Sequence, residues 1–328
     1  MGFKGITPHF PLFLMVEPTN VCNLRCPACP TGSGKLNRPK RMMRFEEYKR
    51  IIDQVKNKVI GIALWNYGEP FLNKELLQMI KYTVKAGIHV TVSTNGEFFN
   101  SFDFCKQVVQ SGLHSLIICL DGANQETLSK YRVGSDFNTI IEGIRLLLKA
   151  REILGSKTPE VELQFIVMKH NEHQRNRMKH LARELGVDIY TEKTVGLDPN
   201  DPDFQSMAKE LLPRDLSFSR FCILEDGSFG IKGQVPNHCS WVYHTTVINS
   251  DGTVVPCCYD LYSKYVMGNV FEESLEIIWK SDKYQNFRKI VNTDRKSIPM
   301  CNVCPIDRMP LKEKHLLSHY LPIFRNRW

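Results

Sequence analysis

The sequence predicts an α/β protein: a parallel sheet rolled into an incomplete barrel, followed by a small cysteine-bearing module. Three observations predict it. Over the first two-thirds of the 328 residues, short β-rich runs alternate with amphipathic helical runs, the pattern of a parallel α/β sheet. The unusual polar motifs all fall just after predicted strands, on the rim where parallel α/β barrels carry their chemistry. The alternation stops near residue 195, and a second set of cysteines begins near 237.

In order, the strands are Leu12–Glu17, Gly61–Trp65, His89–Ser93, Ser115–Leu120, Val161–Val167 and Asp188–Lys193, each a short run rich in β-branched and aromatic residues. Between them, Phe45–Asn57, Lys74–Ala86, Phe102–Ser111, Thr139–Ile153 and Gln174–Leu185 repeat apolar residues at helical spacing. Gly112 and Gly186 follow two of these helices as stop signals. Six β/α units make an incomplete (β/α)6 barrel of the TIM type over 1–195. Residues 196–236, turn-rich from Leu197 to Asp203 with Pro213 and Pro236, read as a linker, and 237–328 as the module with its tail. Within the module, Asn249-Ser-Asp-Gly252 between Val and Ile runs reads as a hairpin turn, and Phe271–Asn286 as one helix.

Composition sets the bounds. The chain is 42% hydrophobic and 24% charged, enough for a full core. Its formal charge of +8 is a mild excess that gives no argument for nucleic acid. Metal-bound thiolates would lower it to about +5. No secretory leader is expected, because Met1–Pro8 lacks a charged start before a long apolar stretch, and Phe10–Val16 is too short to span a bilayer. Eleven cysteines in metal-like spacings indicate a reducing, cytoplasmic setting. The basic run Lys35, Arg38, Lys40, Arg41, Arg44, Lys49, Arg50 admits either an anionic substrate or a solvated loop and helix face.

The run Glu17-Pro-Thr-Asn-Val-Cys-Asn-Leu-Arg-Cys-Pro-Ala-Cys-Pro30 places Cys22, Cys26 and Cys29 at Cys-x3-Cys-x2-Cys, with no fourth cysteine nearby. Thiolates are the usual ligands of a [4Fe-4S] cluster, and three of them leave one of its four irons open. This loop resembles the signature of the radical SAM family. The resemblance implies that the open iron binds the amino and carboxylate groups of S-adenosylmethionine, which is cleaved reductively to a 5′-deoxyadenosyl radical that takes hydrogen from a substrate. It also implies a reducing donor such as flavodoxin or ferredoxin. Trp65-Asn-Tyr-Gly-Glu-Pro70 is similar to the family's Gly-Gly-Glu-Pro motif, with Tyr67 in place of the first glycine. Glu69 is then the candidate partner of the cofactor's ammonium. Ser93 and Asn95 are candidates for its ribose or carboxylate, and Arg132, in Lys130-Tyr-Arg-Val-Gly134, is a candidate carboxylate clamp.

Cys239, Cys257, Cys301 and Cys304, with gaps of 17, 43 and 2 residues, could close a second metal shell. This set resembles the twitch module, a shortened relative of the SPASM extension, through Gly252-x4-Cys257 and Met267–Trp279. That implies an auxiliary [4Fe-4S] cluster, hence two in all. Four thiolates also suit structural zinc. Cys258 adjoins Cys257 and is either an alternative ligand or a free thiol; adjacent residues on an extended segment point oppositely, so one of the two would bind metal. Cys105, Cys119 and Cys222 read as core or linker residues.

Two classes of function follow. The first is a radical SAM oxidoreductase acting on a small sugar or aminocyclitol, since twitch-bearing relatives include a dehydrogenase of that type in aminoglycoside biosynthesis. Its variants are an epimerase with Cys258 as hydrogen donor, or a peptide-modifying maturase. The second is a zinc-binding interaction protein without catalysis.

Overall fold

The structure, a computed structural model, describes residues 9–304. In chain order its elements are β1 (Phe13–Val16), α1 (Phe45–Val55), β2 (Gly61–Ala63), α2 (Leu76–Lys85), β3 (His89–Thr94), α3 (Phe102–Gln110), β4 (Ser115–Cys119), α4 (Gln125–Ser129), α5 (Phe137–Ile153), β5 (Glu160–Val167), α6 (Arg175–Leu185) and β6 (Ile189–Thr194). Then follow α7 (Phe204–Leu211), β7 (Phe221–Ile223), β8 (Phe229–Ile231), α8 (Trp241–His244), β9 (Thr245–Ile248), β10 (Thr253–Val255), β11 (Gly268–Asn269), α9 (Leu275–Lys280), α10 (Asp282–Thr293) and α11 (Pro299–Asn302).

Strands β1 to β6 are all parallel and adjacent in sequence order, as six β/α units require. Alternation sorts their side chains. Leu14, Val16, Ile62, Val90, Val92, Leu116, Ile118, Val161, Leu163 and Phe165 join the helices in the main core. The residues between them, such as Thr91, Ser93, Cys119, Glu162 and Gln164, therefore face the barrel interior. Ser101, Asn124 and Asp136 each cap a helix by accepting from the backbone N–H three residues on. Gly186 ends α6 at φ +76°, where a side chain would strain the backbone.

The C-terminal part is built into the same sheet. β9 pairs in parallel with the free edge of β1, from Phe13 opposite Thr245 to Val16 opposite Ile248. β10 and β11 then extend it antiparallel, giving the order β11-β10-β9-β1-β2-β3-β4-β5-β6 among the described residues. The expected hairpin at 249–252 forms, with Gly252 at φ +83°.

Three segments depart from expectation. Residues 196–236 connect the two parts but also fold, as α7 and the antiparallel pair β7–β8. Phe204, Leu211 and Phe221 from this segment share a cluster with Leu24, Cys26, Tyr131 and Met168 and so cover the N-terminal cysteine loop. The single helix expected over Phe271–Asn286 is two. Ser281 adopts an extended conformation and accepts from Tyr284 N, ending α9 and starting α10 in one residue. Cys257 and Cys258 do not lie on an extended segment: β10 ends at Val255 and the chain turns at Cys258.

The module has its own fastening. The guanidinium of Arg288, 2% exposed, lies 3.9 Å from the ring centres of both Trp279 and Tyr284. It donates to the carbonyls of Val242 (3.0 Å) and Trp279 (2.9 Å). Burial pushes its basicity down to about 10. Arg288→Ala removes two cation–π contacts and leaves two buried carbonyls without these donors, a loss of about 2–4 kcal/mol. Urea unfolding should show that loss, and Arg288→Lys should not restore it, because one ammonium cannot reproduce the fork. An unchanged midpoint in Arg288→Ala would contradict the assignment.

Candidate functional site

β1 delivers the N-terminal cysteine loop to the barrel rim. Leaving Val16, the chain passes Glu17 and then runs without regular structure through residues 20–30, closed on itself by Cys29 N to Cys26 O (3.2 Å) and Ser33 N to Cys29 O (2.8 Å). Gly32 packs so tightly behind this loop that a Cβ would stand 2.5 Å from Cys26 N. All three thiols are unbridged. Cys22 Sγ accepts from Leu24 N at 3.4 Å. Burial pushes the Cys26 thiol up to about 12, opposed by the Arg132 charge and reinforced by Cys29, Asp121 and Cys22. Burial also raises Cys22, with Glu69 and Cys29 acting in the same sense. Thiols as costly to ionise as Cys22 and Cys26 are stabilised as thiolates when they share a cation, and such binding releases their protons. The donor set therefore fits iron.

β2 delivers the second motif. Glu69 is 2% exposed, and its carboxylate accepts from Phe71 N (3.1 Å), Thr94 Oγ1 (2.8 Å) and Asn95 N (2.8 Å). Burial lifts it to about 7 against these donors and the Arg132 charge. Gly68 sits at φ +110°, and a Cβ there would lie 2.3 Å from Thr19 O, so only glycine lets this loop lie against the cysteine loop. Glu69 N donates to Val21 O at 2.8 Å, one residue from Cys22.

The other predicted residues gather here to different degrees. Asn95 Nδ2 donates to Asn23 Oδ1 in the cysteine loop at 2.8 Å. Ser93 Oγ lies 3.5 Å from Cys119 Sγ at the end of β4. Arg132 is paired with Asp121, Nε to Oδ2 at 2.6 Å, and its charge acts on Cys26, Cys22 and Glu69. Asp121 itself accepts from Ile166 N at 2.7 Å, which locks the β4 and β5 ends together.

At the module, Cys301 feels the charges of Cys257, Cys239 and Cys304, and burial raises it to about 12. Cys257 Sγ accepts from Tyr259 N (3.5 Å), and its titration is raised first by a hydrogen bond with the Cys258 thiol and then by burial. The two neighbouring thiols therefore converge instead of diverging, a consequence of the turn. Among the described residues no three His, Cys, Asp or Glu side chains stand as a ready-made single-ion site.

Sequence reasoning missed the group that joins the two cysteine sets. Glu17, fully buried, accepts both terminal nitrogens of Arg38 (2.8 and 2.7 Å), Tyr67 N (3.3 Å), Ser250 N (3.2 Å) and Ser250 Oγ (3.0 Å). The Tyr67 phenol donates to Cys258 O at 3.0 Å. The signals were Glu17 at a strand end and an arginine in a loop, and neither has a spacing rule. The basic run is largely consumed by such contacts. Arg41 and Arg44 reach Glu47, Arg50 reaches Phe271 O, and Lys35 reaches Asp201 and Asp203. Five of the seven cations of this run, Lys35, Arg38, Arg41, Arg44 and Arg50, thus have partners within the chain, which neither expected reading foresaw.

Comparison with known proteins agrees with this geometry. The chain is similar, at 25% identity over 90% of its length and 87% of the relative's, to a tungsten-containing aldehyde ferredoxin oxidoreductase cofactor-modifying protein of Pyrococcus furiosus. It is also 25% identical, over 90% of its length and 88% of the relative's, to an AdoMet-dependent heme synthase of Methanosarcina barkeri. The fold matches a crystal structure of BtrN in complex with AdoMet and 2-DOIA with a TM-score of 0.56 and 19% identity, covering 96% of this chain and all of that one. Residues 239–305 match the SPASM iron-sulfur cluster-binding domain. Residues 16–181 match the Radical SAM superfamily, to which the chain belongs; its cofactors are [4Fe-4S] clusters and S-adenosylmethionine.

Proposed function

We propose that this chain is a radical SAM oxidoreductase that removes hydrogen from a carbon of a small polar substrate, of the sugar or aminocyclitol type, with an auxiliary cluster accepting an electron. The observation that supports this reading is the short span between the two thiol sets: Glu69 N donates to Val21 O beside Cys22, and the Tyr67 hydroxyl, two residues away, donates to Cys258 O beside Cys257. When bound, the reducing cluster and S-adenosylmethionine supply the 5′-deoxyadenosyl radical. Cys22, Cys26 and Cys29 would hold that cluster, and Cys239, Cys257, Cys301 and Cys304 the auxiliary one.

The remaining residues bind and orient. Glu69, held by three donors, keeps acceptor capacity for an ammonium, since a carboxylate has about four lone-pair sites. Asn95 and Ser93 line the β3 end beside it, and Arg132, fixed by Asp121, sets its guanidinium near the cysteine loop. The polar face of β5 and β6 supports a polar substrate. Glu162 accepts from Thr191 Oγ1 (2.5 Å) and Gln164 Nε2 (3.5 Å) on the barrel interior. A fold neighbour that holds AdoMet and 2-DOIA points the same way. Cys258, beside Cys257 and bonded through its carbonyl to Tyr67, is the candidate hydrogen donor of the epimerase variant and has no required part in the oxidation. We further propose a cytoplasmic setting and a flavodoxin or ferredoxin donor. No described helix is long and apolar enough to cross a membrane.

Four outcomes test this. With a C-deuterated aminocyclitol panel, 5′-deoxyadenosine should acquire deuterium and the ring a ketone; deuterium taken only from a peptide would overturn the substrate class. Cys301→Ala should keep reductive cleavage of S-adenosylmethionine within about tenfold while ketone formation falls at least a hundredfold, the loss expected when a redox partner is removed and the first site is intact. Cys258→Ala should retain ketone formation; an epimerised product in wild type that disappears in this variant would favour the epimerase. Glu69→Gln should weaken S-adenosylmethionine binding about tenfold or more, read by equilibrium titration, because a charge-assisted hydrogen bond becomes neutral.

A further inference from the structure

We propose that Tyr67 is a positioning residue that couples the cofactor-binding loop to the Cys257–Cys258 turn, so that occupancy at the first iron-sulfur site is felt at the second. This rests on the two-cluster reading above and assigns a role to a residue outside both ligand sets.

Tyr67, Gly68 and Glu69 form a bridge two peptide units long with one end at each cysteine set. At one end, Glu69 N is bonded to Val21 O, and Val21 adjoins Cys22. At the other, the Tyr67 hydroxyl is bonded to Cys258 O, and Cys258 adjoins Cys257. The middle cannot give way. Gly68 is pressed against Thr19 O and Asn20 Cα at distances that a Cβ would make impossible. A second fastening runs beside the first, because Glu17 Oε2 accepts Tyr67 N while its Oε1 accepts the backbone and hydroxyl of Ser250. Ser250 lies in the turn between β9 and β10, and β10 leads to Cys257.

The chemistry of the substitution matters here. A glycine at this position could still offer its N–H to Glu17, but nothing could reach Cys258 O. The phenol therefore adds a side-chain link to the Cys258 carbonyl that the Glu17 contacts do not make. A shift of the 66–69 loop when an ammonium docks at Glu69 must either move the Cys258 carbonyl or break a hydrogen bond in a buried place, where breaking it is costly. Coupling of this kind is reciprocal.

The test uses holoprotein loaded with both clusters, reduced without oxygen, with S-adenosylmethionine as the probe. The readout is the electron paramagnetic resonance signal and midpoint potential of the auxiliary cluster, with and without the probe. Wild type should show a shift on addition, and Tyr67→Phe should lose it while the first cluster's own response to S-adenosylmethionine persists. Tyr259→Phe, which removes a phenol beside the same cysteines whose hydroxyl accepts from Arg220 at 3.4 Å, should keep the shift. Survival of the shift in Tyr67→Phe, its absence in wild type, or its equal loss in Tyr259→Phe would overturn the proposal. Iron content separates these results from failure of the underlying reading: about eight irons per chain mark two loaded clusters and about four mark one.

Discussion

The parallel pairing of β1 with β9 is the constraint on which the rest depends. Strands that run parallel and side by side release their chains at the same edge of the sheet. β1 releases the Cys22–Cys29 loop, and β9 releases the turn that leads through β10 to Cys257. β10 runs back antiparallel to β9, so Cys257 lies with Phe13, Met15 and Trp65 on the interior side of the sheet, and the Tyr67 hydroxyl bridges from the rim loop to the Cys258 carbonyl beside it. The β1–β9 pairing also covers the free edge of β1, which would otherwise present unpaired backbone groups.

Glu17 shows how that rim is kept in register. A buried carboxylate without partners is costly, and this one is satisfied from three directions: the Arg38 fork, the Tyr67 backbone and Ser250 in the module. Each donor comes from a different segment, so the charge can be satisfied only when those segments are in place. Segment 196–236 adds an apolar cover through Phe204, Leu211 and Phe221, which shields the cysteine loop from the open side of the barrel. The Arg132 guanidinium, held by Asp121, opposes the burial cost of charge at Cys26, whose side chain is buried while its neighbours in the loop reach the surface.

Much of this was legible in the sequence. The six strands and five of the helices follow from periodicity, because hydrophobic alternation directly reports which face meets the core. The cysteine spacings and the Gly-Glu-Pro motif mark their sites because ligand geometry and a glycine-only φ leave local traces. What was not legible depends on distance in the chain. No local pattern says that β9 will add to β1, that Arg38 will fork onto Glu17, or that a tyrosine in a glycine's place will span to Cys258. The Ser281 break was available as a cap signal, Ser-Asp after Trp279-Lys280, and was outweighed by helical spacing on either side. The turn at Cys258 reversed the expected divergence of two adjacent thiols because the strand stops two residues earlier than an extended Cys-Cys pair needs.

The two relatives of equal identity carry different functions in their names, so membership of the superfamily gives a class of chemistry and not a substrate. The most direct measurement of that class is the product of S-adenosylmethionine itself. Anaerobically reconstituted wild-type protein, given dithionite and the cofactor, should release 5′-deoxyadenosine and methionine in equal amounts. Intact S-adenosylmethionine after prolonged incubation of protein with a full complement of iron and sulfide would contradict the account.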